Sequence, residues 1–424
     1  MLRKMHRRFS FFSSPPAIAA SLLLAGSTFA IELNTTDTTS ISAAASRVAS
    51  GLFKNYYNNA STAGHFNQPQ PWYWWLSGSG WNGLLDYTVY TRDTQYQTAL
   101  LAAISDNLGS DFEFAPAEQQ SWEANDDQMY WVYNALTAME YNLTAVDGAP
   151  SWVTVAENAF NAFARRWEAD SPTCGGGLKW QYTETANGYF YKNAVTNGGF
   201  LQTSARLARY TGNATYAEWA TKIWDWSAAV GLVGPKFNVF DGTSDEGADN
   251  CTQMSADQWS YNVATFMMGA GNMYAYNGAM GFPEQQVIWG SRVDGLVAAA
   301  NATFFSPPTN NATGVMYEQK CEVTSACNLD QTSFKSSLSR WMGKTAVLVP
   351  RVRDDIMALL ATSATAAAAS CTDGTSEISC GMKWWTADGY DGYTDFGSQL
   401  SALEVIQSLL VTSTAEPATL IPAA

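Results

Sequence analysis

Two adjacent carboxylic acids, Asp126 and Asp127, are the best candidates for chemistry in this sequence. They follow Asn125, whose short side chain is typical of a helix N-cap, so we expect both acids in a first helical turn. Cleavage of a glycosidic bond needs two carboxyl groups, one protonated and one charged. Neighbouring helical residues point about 100° apart, yet from a first turn both acids can reach one pocket. Their separation would then be near the ~5 Å of a retaining glycosidase, and their mutual repulsion should raise one pKa.

The helix behind these acids has two different faces. Trp131 and Asn134 continue the face that begins at Asp127, and we expect this face to be wet. We therefore expect Gln128 and Trp131 to contact a substrate. The alternative is structural, because acids in a first turn are favoured by the helix dipole and cap the helix. The opposite face is apolar and carries Met129, Val132, Leu136 and Met139.

Composition excludes several classes of function. The chain of 424 residues has a net charge of −15, which disfavours binding to nucleic acid or anionic lipid. It has two histidines, His6 and His65, so histidine-based zinc and histidine-dependent triads lack partners. The acidic loop 241–249 has the carboxylates that calcium binding uses, which is the alternative for a metal site, but it does not fit the EF-hand pattern. We expect no metal and no cofactor. Seventeen tryptophans, together with carboxylates and amides, suit sugar binding instead.

Helical patterns dominate the rest of the chain. Helix 150–169 illustrates the evidence, because Ser151 opens it and apolar residues recur at steps of three and four. The predicted helices are 40–57, 80–92, 94–108, 125–142, 150–169, 192–211, 214–231, 257–278, 283–303, 330–347, 350–370 and 395–412.

The links between these helices alternate between short and long, as expected for a ring of helical hairpins with all long links on one face. All six cysteines and most aromatic clusters, including the run 72–75, fall in the long links, which is typical of a functional face. Six hairpins predict an all-α, (α/α)6 barrel in one domain, residues 31–424. The alternative is an open helical solenoid.

The first thirty residues read as a signal peptide, with a basic start, an apolar run and a small-residue cleavage pattern at Ala30. A retained anchor is the alternative. Even cysteine number and several glycosylation sequons agree with an oxidising compartment. We expect a secreted or wall-associated monomer, and we identify no clear signal for a membrane anchor. The sequons lie at Asn34, Asn59, Asn142, Asn213, Asn250, Asn301 and Asn311.

Several motifs together resemble glycoside hydrolase family 76, the endo-α-1,6-mannanases, in its fungal branch. The resemblance covers nearly all of the chain after residue 30, and the ordered set is more specific than any single piece. It rests on Asn125-Asp126-Asp127-Gln128 with Trp131 and Glu140, on 174–180, on 191–198, on 258–262, on 330–335 and on Arg340-Trp341.

The resemblance implies an (α/α)6 barrel and a retaining mechanism, with Asp126 as nucleophile and Asp127 as general acid/base. It also implies that Asp241 is a cavity aspartate, for which a solvated turn is the alternative. Where the family usually has glycine, this chain has Val263-Ala264, and we expect the added side chains to narrow the pocket.

Other residues have both a functional and a structural interpretation. Asn193 and Asn197 open an inner helix and can bond sugar hydroxyls, or they can simply cap the helix. Tyr261 can contact a sugar or pack in the core. Proximity in sequence pairs Cys321 with Cys327 and Cys371 with Cys380, which leaves Cys174 to pair with Cys251. This set of three pairs is one of fifteen possible connectivities.

Three functions remain open at this point. The first is a retaining endo-α-1,6-mannosidase that hydrolyses mannan backbones. The second uses the same machinery as a transglycosidase that passes mannosyl chains of wall glycoproteins to another glycan. The third is a non-catalytic mannan-binding wall protein, against which the intact Asp126–Asp127 pair argues.

Overall fold

Helix boundaries in the computed structural model follow the capping signals in the sequence. The structure describes residues 30–57, 64–66, 73–248, 250–373, 378–386 and 389–421. Asp37 and Ser151 each accept a hydrogen bond from a free backbone N–H of the helix that follows. In the described residues twelve α-helices are present. They are α1 (Thr38–Leu52), α2 (Trp74–Thr91), α3 (Gln97–Asn107), α4 (Asn125–Glu140), α5 (Trp152–Asp170), α6 (Ala194–Thr211), α7 (Ala214–Val230), α8 (Ser260–Ala279), α9 (Pro283–Phe304), α10 (Phe334–Leu348), α11 (Arg353–Ala369) and α12 (Phe396–Gln407).

The even-numbered helices form a closed inner ring. Each of α2, α4, α6, α8, α10 and α12 contacts the next in this order, and α12 contacts α2. The odd-numbered helices pack outside them, each against an inner neighbour, so the predicted (α/α)6 barrel is confirmed and the open solenoid is wrong. The inner helices are buried on almost every side, whereas α5 buries one stripe that includes Phe160, Phe163 and Trp167.

Two short antiparallel pairs of strands lie in the long links. Strand β1 (Tyr191–Asn193) pairs with β2 (Gly242–Ser244), and β3 (Cys371–Asp373) pairs with β4 (Ile378–Cys380). Disulfides join Cys174 to Cys251, Cys321 to Cys327 and Cys371 to Cys380, so the predicted connectivity is confirmed.

The largest error in the predicted helices is the start of α2, which begins at Trp74 rather than at residue 80. The run Ser77-Gly78-Ser79-Gly80 hides this helix because glycine and serine are poor helix formers. Tertiary packing overrides that propensity, since a Cβ on Gly78 would lie 2.9 Å from the indole of Trp131. Consequently Trp74 and Trp75 lie on a helix and not in a long link.

Smaller differences occur at other helix ends. Helix α10 begins at Phe334, after a 3₁₀ turn at Gln331–Ser333, and α12 ends at Gln407 and continues as a 3₁₀ turn, Ser408–Ser413. A π-helical turn, Phe53–Tyr57, replaces the predicted last turn of α1. Such shifts leave the barrel unchanged, because helix ends fray and tighten most readily.

The barrel interior below its mouth holds a buried ionic network. Glu140, the last residue of α4, lies 2.8 Å from Nη2 of Arg206 and 3.1 Å from Nη2 of Arg209. Across the ring, Arg340 contacts Oε1 of Glu404 at 2.5 Å. Buried charges of this kind persist only when they are paired.

The C-terminal segment 417–421 crosses the far end of the barrel. The N–H of Ala418 donates to the carbonyl of Glu140 at 2.7 Å, and the N–H of Leu420 donates to the carbonyl of Tyr210 at 2.7 Å. These carbonyls belong to the last turns of α4 and α6, which lack partners within their own helices.

Residues 1–29, which include nearly all of the predicted signal peptide, lie outside the described part of the chain, as does the sequon at Asn59. Among the described residues, every helix is too short or too polar to cross a membrane. The other six sequon asparagines are exposed, which sugar attachment requires. They are Asn34, Asn142, Asn213, Asn250, Asn301 and Asn311.

Candidate active site

A cavity of about 280 Å³ opens at the end of the barrel where the inner helices begin. The parallel inner helices direct their N-terminal ends towards this mouth, and a helix N-terminus carries partial positive charge that favours anions. Its walls are carboxylates, amides and aromatic rings. They are Trp75, Asp126, Asp127, Tyr130, Trp180, Tyr191, Asn193, Asp241, Trp259, Tyr261, Asn328, Asp330, Gln331 and Phe334.

Asp126 and Asp127 lie in the first turn of α4 and both line this cavity. Oδ2 of Asp127 accepts a hydrogen bond from the N–H of Ala124 at 2.8 Å, which fixes the rotamer of the side chain. Oδ1 of Asp126 accepts from the N–H of Asp127 at 3.1 Å. Because Oδ2 of Asp127 already accepts, a proton on this carboxyl would reside on Oδ1.

The two carboxyl groups differ in their surroundings. Burial raises the pKa of Asp126 to about 7, although hydrogen bonds from the side chains of Asn193 and Trp180 stabilise its charged form. Burial, reinforced by the charge of Asp126, raises the pKa of Asp127 well above its ordinary value. The pair therefore favours one proton, held on Asp127, and one negative charge, held on Asp126.

Arg166 of α5 fastens the first turn of α4 from outside the cavity. Its Nη1 donates to Oδ1 of Asn125 at 2.8 Å and to Oε1 of Gln128 at 2.6 Å. The guanidinium also lies 4.1 Å from the ring centroid of Tyr182, which adds a cation–π contact. Gln128 in turn donates to the carbonyl of Glu113 at 2.6 Å, so the loop before the helix is held as well.

A third carboxylate, Asp241, also lines the cavity. It accepts hydrogen bonds from the hydroxyl of Tyr191 at 2.8 Å and from Nδ2 of Asn262 at 3.1 Å. Burial raises its pKa. Asp241 therefore lines the cavity. The structural alternative, which placed it in a solvated turn, is wrong.

Aromatic rings supply flat surfaces in the cavity wall. Tyr261 stacks on Phe334, with ring centroids 3.9 Å apart and planes inclined by 19°. Trp75 packs against Tyr130 with ring centroids 4.6 Å apart and donates from Nε1 to Oδ1 of Asp330 at 3.2 Å. Burial raises the pKa of Asp330 to about 6.

Five of the eight predicted site residues line the cavity: Asp126, Asp127, Asn193, Asp241 and Tyr261. Their functions remain predictions, but their side chains are brought together as the sequence analysis required.

The structure places the other three predicted site residues outside the cavity lining, and each is buried: Gln128, Trp131 and Asn197. Trp131 stacks on Trp74 with ring centroids 5.3 Å apart, so the predicted wet face of α4 is dry below its first turn. Asn197 bonds to both the N–H and the carbonyl of Leu178, at 2.9 and 3.0 Å, and thereby holds a wall loop.

Two further expectations were wrong. Ala124, not Asn125, is the N-cap of α4, and the Asn125 side chain instead donates to the carbonyl of Lys179 at 2.9 Å. Val263 and Ala264 are buried in α8 and do not line the cavity, so they do not narrow it.

Nine residues that line the cavity were not predicted as site residues: Trp75, Tyr130, Trp180, Tyr191, Trp259, Asn328, Asp330, Gln331 and Phe334. Trp180 and Asp330 belong to the quoted motifs, so that signal was present. Tyr130 was not separable from a core aromatic by spacing, because it lies on α4 between the two faces that the periodicity defined.

The acidic loop considered for calcium has another structural explanation. Asp245 lies 3.4 Å from Nζ of Lys179 and 3.8 Å from Nζ of Lys192, so its charge is neutralised by lysines. Across the described ranges, clusters of three or more histidine, cysteine, aspartate or glutamate side chains suited to a metal ion are absent.

Comparison with known proteins gives a consistent result. A family model described as Glycosyl hydrolase family 76 matches residues 40–420. Mannan endo-1,6-alpha-mannosidase DCW1 of Saccharomyces cerevisiae is 39% identical over 384 residues, which cover 89% of this chain and 81% of the yeast protein. Mannan endo-1,6-alpha-mannosidase DFG5 of the same yeast is 39% identical over 388 residues, which cover 91% and 81% of the two chains.

Solved structures share the architecture. Dfg5 from Chaetomium thermophilum, determined in complex with glucosamine, has a TM-score of 0.83 at 31% identity, covering 92% of this chain and 95% of its own. The GH76A alpha-1,6-mannanase of a Salegentibacter species has a TM-score of 0.67 at 19% identity, covering 87% and 98%. At that lower identity the likeness concerns the fold alone.

Proposed function

The chain belongs to glycosyl hydrolase family 76, and we propose that it is a secreted, retaining endo-α-1,6-mannosidase acting on mannan backbones. The observation that carries the mechanism is the pair of adjacent carboxyl groups in one cavity, of which Asp127 has the higher affinity for a proton. The relatives named mannan endo-1,6-alpha-mannosidase support the choice of substrate.

In the first step the carboxylate of Asp126 attacks the anomeric carbon of the mannose unit in the cavity. The bond from that carbon to the glycosidic oxygen breaks, and Asp127 delivers its proton to the departing oxygen. Hydrogen bonds from Asn193 and Trp180 favour the charged form of Asp126, which is the form that attacks. The product of this step is a mannosyl ester on Asp126.

In the second step a hydroxyl group replaces that ester. Asp127, now charged, accepts the proton of the incoming hydroxyl, whose oxygen bonds to the anomeric carbon as the ester bond breaks. Two displacements return the original configuration and leave Asp126 charged and Asp127 protonated. These steps draw only on side chains of this protein, and we propose no cofactor.

The second step also defines the alternative activity. If the incoming hydroxyl belongs to water, the enzyme is a hydrolase; if it belongs to another glycan, the enzyme is a transglycosidase that joins wall mannosyl chains to an acceptor. The related Dfg5 structure favours keeping this alternative, because it holds glucosamine, a sugar that is not a unit of linear mannan. Aromatic walls such as Trp75 and Trp259 suit an acceptor ring as well as a donor ring.

One incubation distinguishes the candidate functions. The protein is mixed with linear α-1,6-mannan and a fluorescently labelled acceptor oligosaccharide, and products are separated by size. Shortened, unlabelled chains support hydrolysis, whereas label in larger products supports transfer. Unchanged mannan, together with measurable binding in affinity electrophoresis, would leave only a mannan-binding role and overturn the enzymatic proposal.

Location and assembly are part of the proposal. We propose that a signal peptide directs the chain to the cell surface, where the three disulfides form in an oxidising compartment and the protein acts as a monomer. Size-exclusion chromatography with light scattering, and N-terminal sequencing of the secreted protein, test both points.

A further inference from the structure

One tryptophan differs from all others in the described part of the chain. Trp122 is 83% exposed, whereas each of the other described tryptophans is buried or partly buried. Burial of so large a ring ordinarily stabilises a protein, so its exposure forgoes a sizeable apolar contribution. The position of Trp122 in the fold suggests what replaces that contribution.

Trp122 begins a chain segment that forms the edge of the cavity wall. Ala124 makes a bridge with Gln181, and the N–H of Asn125 donates to the carbonyl of Trp180 at 2.9 Å. The N–H of Trp180 in turn donates to the carbonyl of Tyr191 at 2.6 Å. Three neighbouring segments are thus joined side by side, and Trp180 and Tyr191 on the inner two line the cavity.

Trp122 is close to the cavity along the chain. It lies four residues before Asp126, which lines the cavity, so their Cα atoms are at most about 14 Å apart. Trp122 therefore lies near the cavity mouth and not on a remote surface.

The segment that carries Trp122 is held in place. The N–H of Glu123 donates to the carbonyl of Gln119 at 3.0 Å, and Nε2 of Gln120 donates to the carbonyl of Ala115 at 2.9 Å. A tryptophan side chain has only two rotatable bonds, so an anchored segment presents its ring at low entropic cost. An exposed aromatic ring on an anchored segment is well suited to bind a ligand.

We propose that Trp122 forms an outer subsite that stacks against a sugar ring of a long mannan chain whose reacting unit lies in the cavity. The inference rests on the proposed function and adds to it a preference for long chains. A chain long enough to leave the cavity gains the contact, whereas a short oligosaccharide held within the cavity does not.

The test compares Trp122→Ala with wild type on two substrates, a long linear α-1,6-mannan and a short α-1,6-mannooligosaccharide. We expect kcat/KM on the long chain to fall about three- to tenfold, the range of one aromatic contact, with no change on the short one. Trp122→Phe should retain most of the activity on long chains. Phe282→Ala is the matched control, because Phe282 is 49% exposed at the far end of the barrel, between α8 and α9.

Equal losses on both substrates, or no loss on either, would overturn the outer subsite while wild-type cleavage of mannan upholds the proposed function. A loss of the same size in Phe282→Ala would also overturn it, because the effect would then not be local. If wild type cleaves neither substrate, the proposed function itself is wrong, and the outer subsite is wrong with it.

Discussion

Arg166 donates from Nη1 to Oε1 of Gln128 at 2.6 Å, so a cation on an outer helix is tied to the inner helix that carries both candidate catalytic acids. Its second partner is Oδ1 of Asn125 at 2.8 Å, one residue before Asp126. Both partners are neutral amides, so the contact orients the helix start without competing for the charge of the acids.

Replacement of Arg166 by methionine should lower kcat on mannan by about tenfold or more, because small displacements of reacting groups are costly to catalysis. We expect KM to change less than kcat, since Arg166 does not line the cavity. Arg166→Lys should restore part of the loss. Arg165→Met on the same helix is the control, because the Arg165 side chain is 69% exposed. Equal kinetic losses in Arg165→Met and Arg166→Met would contradict the positioning role.

Asn variants at the two acids should fail at different steps. With an aryl mannooligosaccharide whose leaving group needs no proton, Asp127→Asn should still form the ester in a rapid burst, whereas Asp126→Asn should show none. On mannan we expect each variant to lose about 10²-fold or more in kcat. Stopped-flow release of the aryl group measures the burst, and a burst from Asp126→Asn would reverse the assigned roles.

A second pair of aspartates offers the control for those variants. Asp354 and Asp355 also lie in a first helical turn, that of α11, but they are exposed and outside the cavity. Asp354→Asn and Asp355→Asn should therefore leave kcat unchanged. The melting temperature of Asp127→Asn should also stay close to that of wild type, because the new amide oxygen can still accept from the N–H of Ala124.

The pH dependence of kcat/KM should be bell-shaped. Burial raises the pKa of Asp126 to about 7, so the charged form of Asp126, which the reaction needs, is lost as pH falls below that value. Burial and the charge of Asp126 raise the pKa of Asp127 further, so the acid that must be protonated persists to higher pH. An optimum well below pH 6 would contradict this arrangement.

The same raised pKa predicts how stability changes with pH. Between 3.8, the ordinary value for Asp126, and about 7, the folded state binds this proton more readily than the unfolded state does. The free energy of unfolding should therefore fall as pH rises through this window. Asp126→Asn removes this effect and should melt higher than wild type at pH 7.5 but not at pH 4. If the melting temperatures of wild type and Asp126→Asn change with pH in the same way, the burial of this carboxyl is contradicted.

The ionic network at the far end of the barrel should matter for stability. Glu140→Gln leaves Arg206 and Arg209 without their carboxylate, and we expect a loss of about 3–5 kcal/mol in the free energy of unfolding. Glu168→Gln is the control, because Glu168 pairs with Lys222 at the surface and such pairs contribute about 1 kcal/mol or less. Urea denaturation measures both variants.

The features that could be predicted depend on residues close together in sequence, whereas those that could not depend on contacts between distant residues. The number of helices, the alternation of short and long links and the cysteine pairing were predicted correctly, because they depend on local periodicity or on proximity in sequence. The positions of Gln128 and Trp131 depend on Arg166 and Trp74, which contact them across the fold, and no spacing rule reveals such partners. Gln128 and Trp131 were therefore predicted to contact the substrate from the polarity pattern, whereas both side chains make structural contacts within the fold.

Asp330 illustrates the same limit in the opposite direction. It precedes α10 and reaches the cavity because it accepts a hydrogen bond from Trp75 of α2, some 255 positions away in the chain. Sequence supplied the motif that contains it, but only the closed ring brings these two residues together.

The C-terminal segment lies on the barrel end opposite the active-site mouth, separated from it by the length of α4, about 24 Å. A tether joined to that segment would leave the cleft turned towards open solution. Enzyme coupled to a solid support in this orientation should therefore process polymeric mannan as readily as free enzyme does, whereas coupling through the surface around Trp122 should block it.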